Sequence, residues 1–257
     1  MAAKTDYIAV FDSGLGGISV LRHLLRLMPG ERYLYFGDSA NAPYGSRPTS
    51  EVRDLTLAAA EKLMQEKPLK ALVLACNTAT AAAVKDLRRN YPDLIVIGIE
   101  PALKVAADHF PGGRIGVMAT EVTLREEKFD LLLHRFDRDC TITKIPAPGL
   151  VQLVEQGKVD HPETDALLHG ILDPYVGQLD ALVLGCTHYP FAAAAIGRVL
   201  GPGVTLLEGG DGTARETRRR LELAGLLEQG EGEVKIINSS PDPGMIRLSY
   251  ERLYQGR

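Results

Sequence analysis

The chain reads as an α/β protein built from two similar halves, each a parallel sheet wound by helices. Three observations predict this. Short, continuously apolar runs recur at residues 7–11, 33–36, 71–74, 95–99, 115–118, 181–184, 204–207 and 234–237 of the 257. Unbroken rather than alternating apolarity is the pattern of strands covered on both faces. Stretches with helical spacing separate them, at 18–27, 51–65, 79–89, 123–135 and 213–226, and strand–helix alternation predicts a parallel sheet. The third observation is an internal repeat. Leu69-Lys-Ala-Leu-Val-Leu-Ala-Cys76 aligns with Leu179-Asp-Ala-Leu-Val-Leu-Gly-Cys186 at an offset of 110, with six of eight positions identical. A fainter echo, Ile8-Ala-Val-Phe-Asp-Ser13 with Ile115-Gly-Val-Met-Ala-Thr120, has an offset of 107.

The elements follow in order. Gly and Pro fall between them, at Pro29-Gly30, Pro111-Gly112-Gly113 and Gly201-Pro202-Gly203, where turns belong. No linker or low-complexity segment intervenes, and 229–233 reads as a surface loop. The repeat divides the chain into two expected halves, 1–99 and 100–207. A pseudo-twofold axis relating the halves would place the active site between them.

Composition narrows the function. Apolar residues make up 45%, enough to bury a core, and 29 basic against 33 acidic side chains leave a net charge of −4. That is not the basic footprint of a nucleic-acid binder, and Trp, a good stacking platform, is absent. No apolar run approaches the roughly 20 residues of a membrane span, and none of signal-peptide length opens the chain. Three cysteines are too few for a disulfide scaffold, which points to a reducing cytoplasm with thiols available for chemistry.

Two of those thiols, Cys76 and Cys186, end the repeated strands. Ligands of wound α/β sheets sit beyond the carboxyl ends of strands. Cys76-Asn77-Thr78 and Cys186-Thr187-His188 are expected in strand-to-helix turns, where unpaired N–H groups favour a thiolate. Two opposed thiols suit one reaction well: one removes a proton from a carbon and the other returns a proton to its opposite face. Asp12-Ser13-Gly14-Leu15-Gly16-Gly17 offers N–H and hydroxyl donors for an anion, with Ser13 also a possible helix cap. It is not Gly-x-Gly-x-x-Gly, so a dinucleotide is disfavoured. No Lys or Arg lies in these motifs, so a carboxylate would be held by neutral donors and helix ends. His188 is placed to serve the Cys186 proton or a substrate group, or simply to cap the turn, and Asp38 to Gly45 forms a polar loop after a strand. Cys140 opens a further apparent strand without such context and is assigned structure only.

At these residues the chain resembles the cofactor-independent aspartate/glutamate racemase superfamily, within it the glutamate racemases. The likeness runs almost end to end through Phe11-Asp-Ser-Gly-Leu-Gly-Gly17, Phe36-Gly-Asp-Ser39, Ala42-Pro-Tyr-Gly45, Ala75-Cys-Asn-Thr-Ala79, Ile99-Glu-Pro-Ala102, Ala119-Thr120 and Leu184-Gly-Cys-Thr-His-Tyr-Pro190. The resemblance implies interconversion of L- and D-glutamate without metal, nucleotide or pyridoxal phosphate. It implies Cys186 as the base toward L-glutamate and Cys76 toward D-glutamate. It implies substrate contacts from Asp12, Ser13, Tyr44, Gly45, Asn77, Thr78, Thr120, Thr187 and His188. Asp12, Asp38, His188 and Glu155 match supporting catalytic groups. It further implies that 208–257 returns to the first domain, a homodimer, and a role in supplying D-glutamate for peptidoglycan.

Three departures stand out. Thr123-Leu-Arg-Glu126-Glu-Lys-Phe129 replaces a Ser-containing stretch, and a carboxylate at 126 near the site would repel a dianionic substrate. Gln152 stands where Pro is common, and Leu207-Glu208-Gly-Gly210 replaces Ile-Asp-Ser-Gly. Competing expectations are a racemase of aspartate or of hydantoin-type substrates, and a catalytically silent amino-acid binder. Thiol redox or metal binding lacks both Cys-x-x-Cys and a His/Cys ligand spacing.

Overall fold

The computed structural model describes residues 2–254, apart from 126–130, 132, 135 and 137–139. The chain forms two compact units, one of residues 1–100 and 210–257 and the other of 101–209. In the first, β1 (Tyr7–Asp12), β2 (Arg32–Gly37), β3 (Leu69–Leu74), β4 (Ile95–Gly98) and β9 (Glu233–Asn238) form one sheet in the order β4-β3-β1-β2-β9. In the second, β5 (Arg114–Ala119), β6 (Thr141–Pro146), β7 (Ala181–Leu184) and β8 (Thr205–Glu208) form a sheet in the order β6-β5-β7-β8. Every pairing is parallel.

Ten described helices wind these sheets. In the first unit they are α1 (Ile18–Leu27), α2 (Thr49–Glu66), α3 (Asn77–Asn90), α9 (Gly210–Leu223) and α10 (Gly244–Tyr254). In the second they are α4 (Leu103–His109), α5 (Glu121–Arg125), α6 (Leu150–Glu155), α7 (Pro162–Leu172) and α8 (Ala193–Leu200). No described helix is long and apolar enough to cross a membrane. The stretch expected as a helix over 123–135 is described as α5 only to Arg125; Glu126 lies outside the described residues. The helix expected to reach 226 ends at Leu223, just before Gly225 turns the chain with φ +67°.

The internal repeat survives at the level of hydrogen-bond register. Ile8 pairs with Ala71 and Val10 with Val73; Ile115 pairs with Ala181 and Val117 with Val183. These are the same pairs displaced by the two sequence offsets. The backbone bonds beyond the strands repeat too: Ala75 N–H to Phe11 O, and Gly185 N–H to Met118 O. With β1, β2, β3 and β4 set against β5, β6, β7 and β8, both sheets have one strand order.

The central strands are buried along their apolar runs, as those runs predict. The expectation of two covered faces fails for β8 and β9, which are mostly half-buried. They are edge strands, covered less completely than the middle of the sheet. Of the other two edges, β4 is mostly buried, and β6, Thr141–Pro146, has only Ile145 buried. Opposite faces of the second sheet feed two cores, Met118, Leu182 and Leu184 on one side and Ile115, Val117 and Val183 on the other. Cys140 packs in the latter, its Sγ donating to Phe136 O, which agrees with a structural assignment.

Candidate active site

In each sheet the chain switches direction between the two central strands. The chain leaves β1 for β2 on one side and then passes back across β1 to β3 on the other; β5, β6 and β7 follow the same path. At such a switch point the two carboxyl-end loops separate and leave a crevice for a ligand. In the first unit these loops carry Asp12-Ser13 and Cys76; in the second, Thr120 and Cys186.

Cys76 caps helix α3. Its backbone is extended at φ −70°, ψ 123°, and its Sγ accepts from the Ala79 N–H at 3.4 Å. The positive end of the helix dipole therefore meets the sulfur. Across the crevice, Ser13 Oγ lies 3.5 Å from that Sγ. Asp12 is fully buried and its Oδ1 accepts from the Gly14 N–H at 2.9 Å. Ser13 does not cap α1, whose N-cap is Gly17 with no side-chain cap bond. Thr78 is buried in the first turn of α3, and Asn77 Oδ1 is buried there with no hydrogen-bond partner among the described residues.

The loop after β2 builds a second polar cluster. Tyr44 donates to Asp38 Oδ2 at 2.6 Å, and Asn41 Nδ2 lies 3.1 Å from both Asp38 oxygens. Burial, then the Asp38 hydrogen bond and its charge, push the Tyr44 phenol far above its ordinary value. Gly45 follows in a short 3-10 turn, Tyr44–Ser46. Asn41 was not singled out from sequence; its signal is the Asp38-x-x-Asn41 spacing, in which the Asn41 N–H also donates to Asp38 O.

Cys186 is served differently. A helix was expected directly after it, but the α-helix begins only at Ala193, behind a turn and the 3-10 segment Tyr189–Ala192. The cause is local. After Cys76, the Thr80 N–H closes the first helical bond onto Cys76 O at 2.9 Å. The equivalent donor after Cys186 would be residue 190, which is proline and has no N–H. The Tyr189 N–H bonds Cys186 O instead, one residue earlier, which is 3-10 geometry.

In place of a helix end, Cys186 has a side-chain relay. Its Sγ lies 3.7 Å from His188 Nδ1, and His188 Nε2 lies 2.6 Å from Glu155 Oε1. Glu155 arrives on α6, which starts after Gly149 in the left-handed region at φ +88°. Burial alone would drive the fully enclosed His188 toward its neutral form. The hydrogen bonds to Cys186 and Glu155, with their charges, outweigh it and hold the imidazole well above its ordinary value. Thr187 is buried beside the thiol, and Thr120 Oγ1 accepts the Thr123 N–H at 3.3 Å.

All of the residues expected at a site are therefore at carboxyl-end loops or their first turns, except Glu155, which α6 brings to His188. Glu126 lies outside the described residues, so its expected repulsion has no structural counterpart here. Glu208, at a departure from the family pattern, ends β8, paired in register with Leu184.

Known proteins resemble this chain over nearly its whole length. The family model for Asp/Glu/Hydantoin racemase matches residues 10–217. A glutamate racemase of Clostridium botulinum is 44% identical over 252 residues, covering 97% of each chain. A crystal structure of glutamate racemase from Thermus thermophilus in complex with beta-chloro-D-alanine superposes with a TM-score of 0.82 at 39% identity, covering 98% of this chain and 94% of that one. One of the Escherichia coli glutamate racemase, with L-glutamate and the activator UDP-MurNAc-Ala, gives 0.86 at 29% identity, covering 96% and 94%.

Proposed function

The chain belongs to the Asp/Glu/Hydantoin racemase family, and from that we propose that it interconverts L- and D-glutamate by a two-base mechanism. The observation that carries this reading is the pair of thiols at equivalent strand ends, each with its own means of handling a proton. Cys186, as thiolate, takes the α-proton of L-glutamate. The electron pair left on the carbon delocalises into the substrate carboxylate. Cys76, as thiol, returns a proton to the opposite face and becomes the thiolate. For D-glutamate the roles exchange.

Each thiol has support for that work. The His188–Glu155 relay beside Cys186 can carry a proton to or from Sγ through Nδ1. Cys76 has the α3 N-terminus and the Ser13 hydroxyl. The buried acceptor Asn77 Oδ1 suits the substrate ammonium group, and the Ser13, Thr78, Thr120 and Thr187 hydroxyls suit its carboxylates. Asp38 holds Tyr44, and with it Gly45, at the rim of the first half-site. The family resemblance supports a cytoplasmic homodimer whose D-glutamate serves peptidoglycan synthesis.

The test is incubation in deuterated buffer with each enantiomer of glutamate and of aspartate. Optical rotation should decay to zero from either glutamate, with deuterium entering the α-position. Activity on aspartate alone would keep the chemistry and change the substrate; no exchange with any of the four would refute it. Cys76→Ser and Cys186→Ser should each lower turnover by at least about 10²-fold, whereas Cys140→Ser should leave it unchanged.

A further inference from the structure

We propose that Tyr35 is a positioning residue for the Cys76 half-site, acting through the carbonyl of Gly14. This rests on the reading of Cys76 as an acid/base group. Tyr35 lies in the middle of β2, is fully buried, and its hydroxyl donates to Gly14 O at 2.6 Å. The same residue is held by two other contacts. The Gly14 N–H donates to Asp12 Oδ1 at 2.9 Å, and Gly14 O packs so closely on Gly37 that a Cβ there would lie 2.5 Å from it. The Tyr35 ring also lies under Gly17, where an added Cβ would meet its Cε2 at 3.1 Å.

These contacts immobilise the turn that carries Ser13, whose Oγ is 3.5 Å from the Cys76 sulfur. Sulfur–hydroxyl alignment is sensitive to small shifts, and rigid support beneath a reacting group governs how often it is aligned. The Tyr35 hydroxyl holds the Gly14 carbonyl, and the effect proposed passes through that turn to Ser13.

Tyr33 supplies a matched control. It lies two residues earlier on the same strand and is also fully buried, and its hydroxyl also donates to backbone carbonyls, Leu24 O at 3.1 Å and Met28 O at 2.9 Å. Those carbonyls belong to the end of α1, not to the turn at the thiol. Tyr33→Phe and Tyr35→Phe should lower the melting temperature by similar amounts. Only Tyr35→Phe should lower kcat/KM, by about tenfold, for a lost hydrogen bond of ordinary strength.

Enantiomers have equal free energies in water, so kcat/KM must fall equally in both directions. The isotope effects should not change equally. With α-deuterated D-glutamate, the step made slower is removal of the deuteron by Cys76, so the substrate isotope effect should rise. With α-deuterated L-glutamate, that step is reprotonation, so the substrate isotope effect should shrink toward one. These are ratios within turnover and do not depend on the folded fraction. If wild type racemises and both Tyr→Phe variants behave alike, or the two isotope effects keep their wild-type values, the proposal fails. If wild type does not racemise, the functional reading itself fails.

Discussion

Cys76 and Cys186 end equivalent strands, yet different physics surrounds them. One sulfur meets the N–H groups of a helix, the other an imidazole backed by a carboxylate. The difference traces to a single residue, Pro190, which withholds the N–H that would start a helix after Cys186. His188 makes this difference measurable. Its folded value is raised, so folding favours the imidazolium. That contribution is complete below the unfolded value near 6.5 and fades as pH climbs through the folded value. Glu155→Gln keeps the shape but removes a partner charge. Its melting-temperature deficit should correspond to about 1–2 kcal/mol at about pH 6 and shrink as pH climbs through the folded value. Thermal scans at both ends check this; a deficit independent of pH would mean that no imidazolium–carboxylate pair forms.

Elements show where tertiary context overrides a sequence pattern. The run 71–74 reads as a buried strand, and β3 is one, but it starts two residues earlier and takes in Lys70. That side chain is fully buried and pairs with the equally buried Glu31 at 2.5 Å. Lys70 Nζ also donates to the carbonyls of Lys4 and of Leu226, the latter at 3.0 Å, while Glu31 Oε1 accepts the Glu228 N–H at 2.8 Å. The pair thus ties the base of β3 to the chain's start and to its C-terminal return. Glu31→Gln leaves a buried ammonium without its counter-charge and should cost about 3–5 kcal/mol. Replacing both residues by Met should recover most of that loss in urea titrations. A double variant as unstable as the single would mean that the packing, not the charge, matters.

At the scale of the whole chain, the first unit is discontinuous. Its sheet ends in β9 and its helix α1 packs against α9 and α10, all from beyond residue 209. Ile18, Val20, Leu21 and Leu24 of α1 are fully buried. Removing 210–257 would strip an edge strand and two covering helices, exposing apolar surface worth several times about 1.5 kcal/mol per side chain. The shortened chain should lose its cooperative thermal transition, read by near-ultraviolet circular dichroism. A soluble 1–209 chain that melts as sharply as wild type would show that the return is dispensable. No periodicity in the sequence marks 208–257 as belonging with 1–99; that expectation came from family resemblance.

The sequence by itself determined the strands, their alternation with helices, the repeat and the placement of both cysteines at strand ends. Those properties are local: a buried strand needs a run of apolar side chains whatever its neighbours are. Only the tertiary structure decided what each thiol meets. Glu155 and His188 are 33 residues apart in the chain, Lys70 and Glu31 are 39, and Tyr35 and Gly14 are 21. Their meetings depend on strand order and register, which set the space between residues that sequence spacing leaves open. The half-buried edge strands follow the same rule, since an apolar run does not reveal whether a neighbour will cover it.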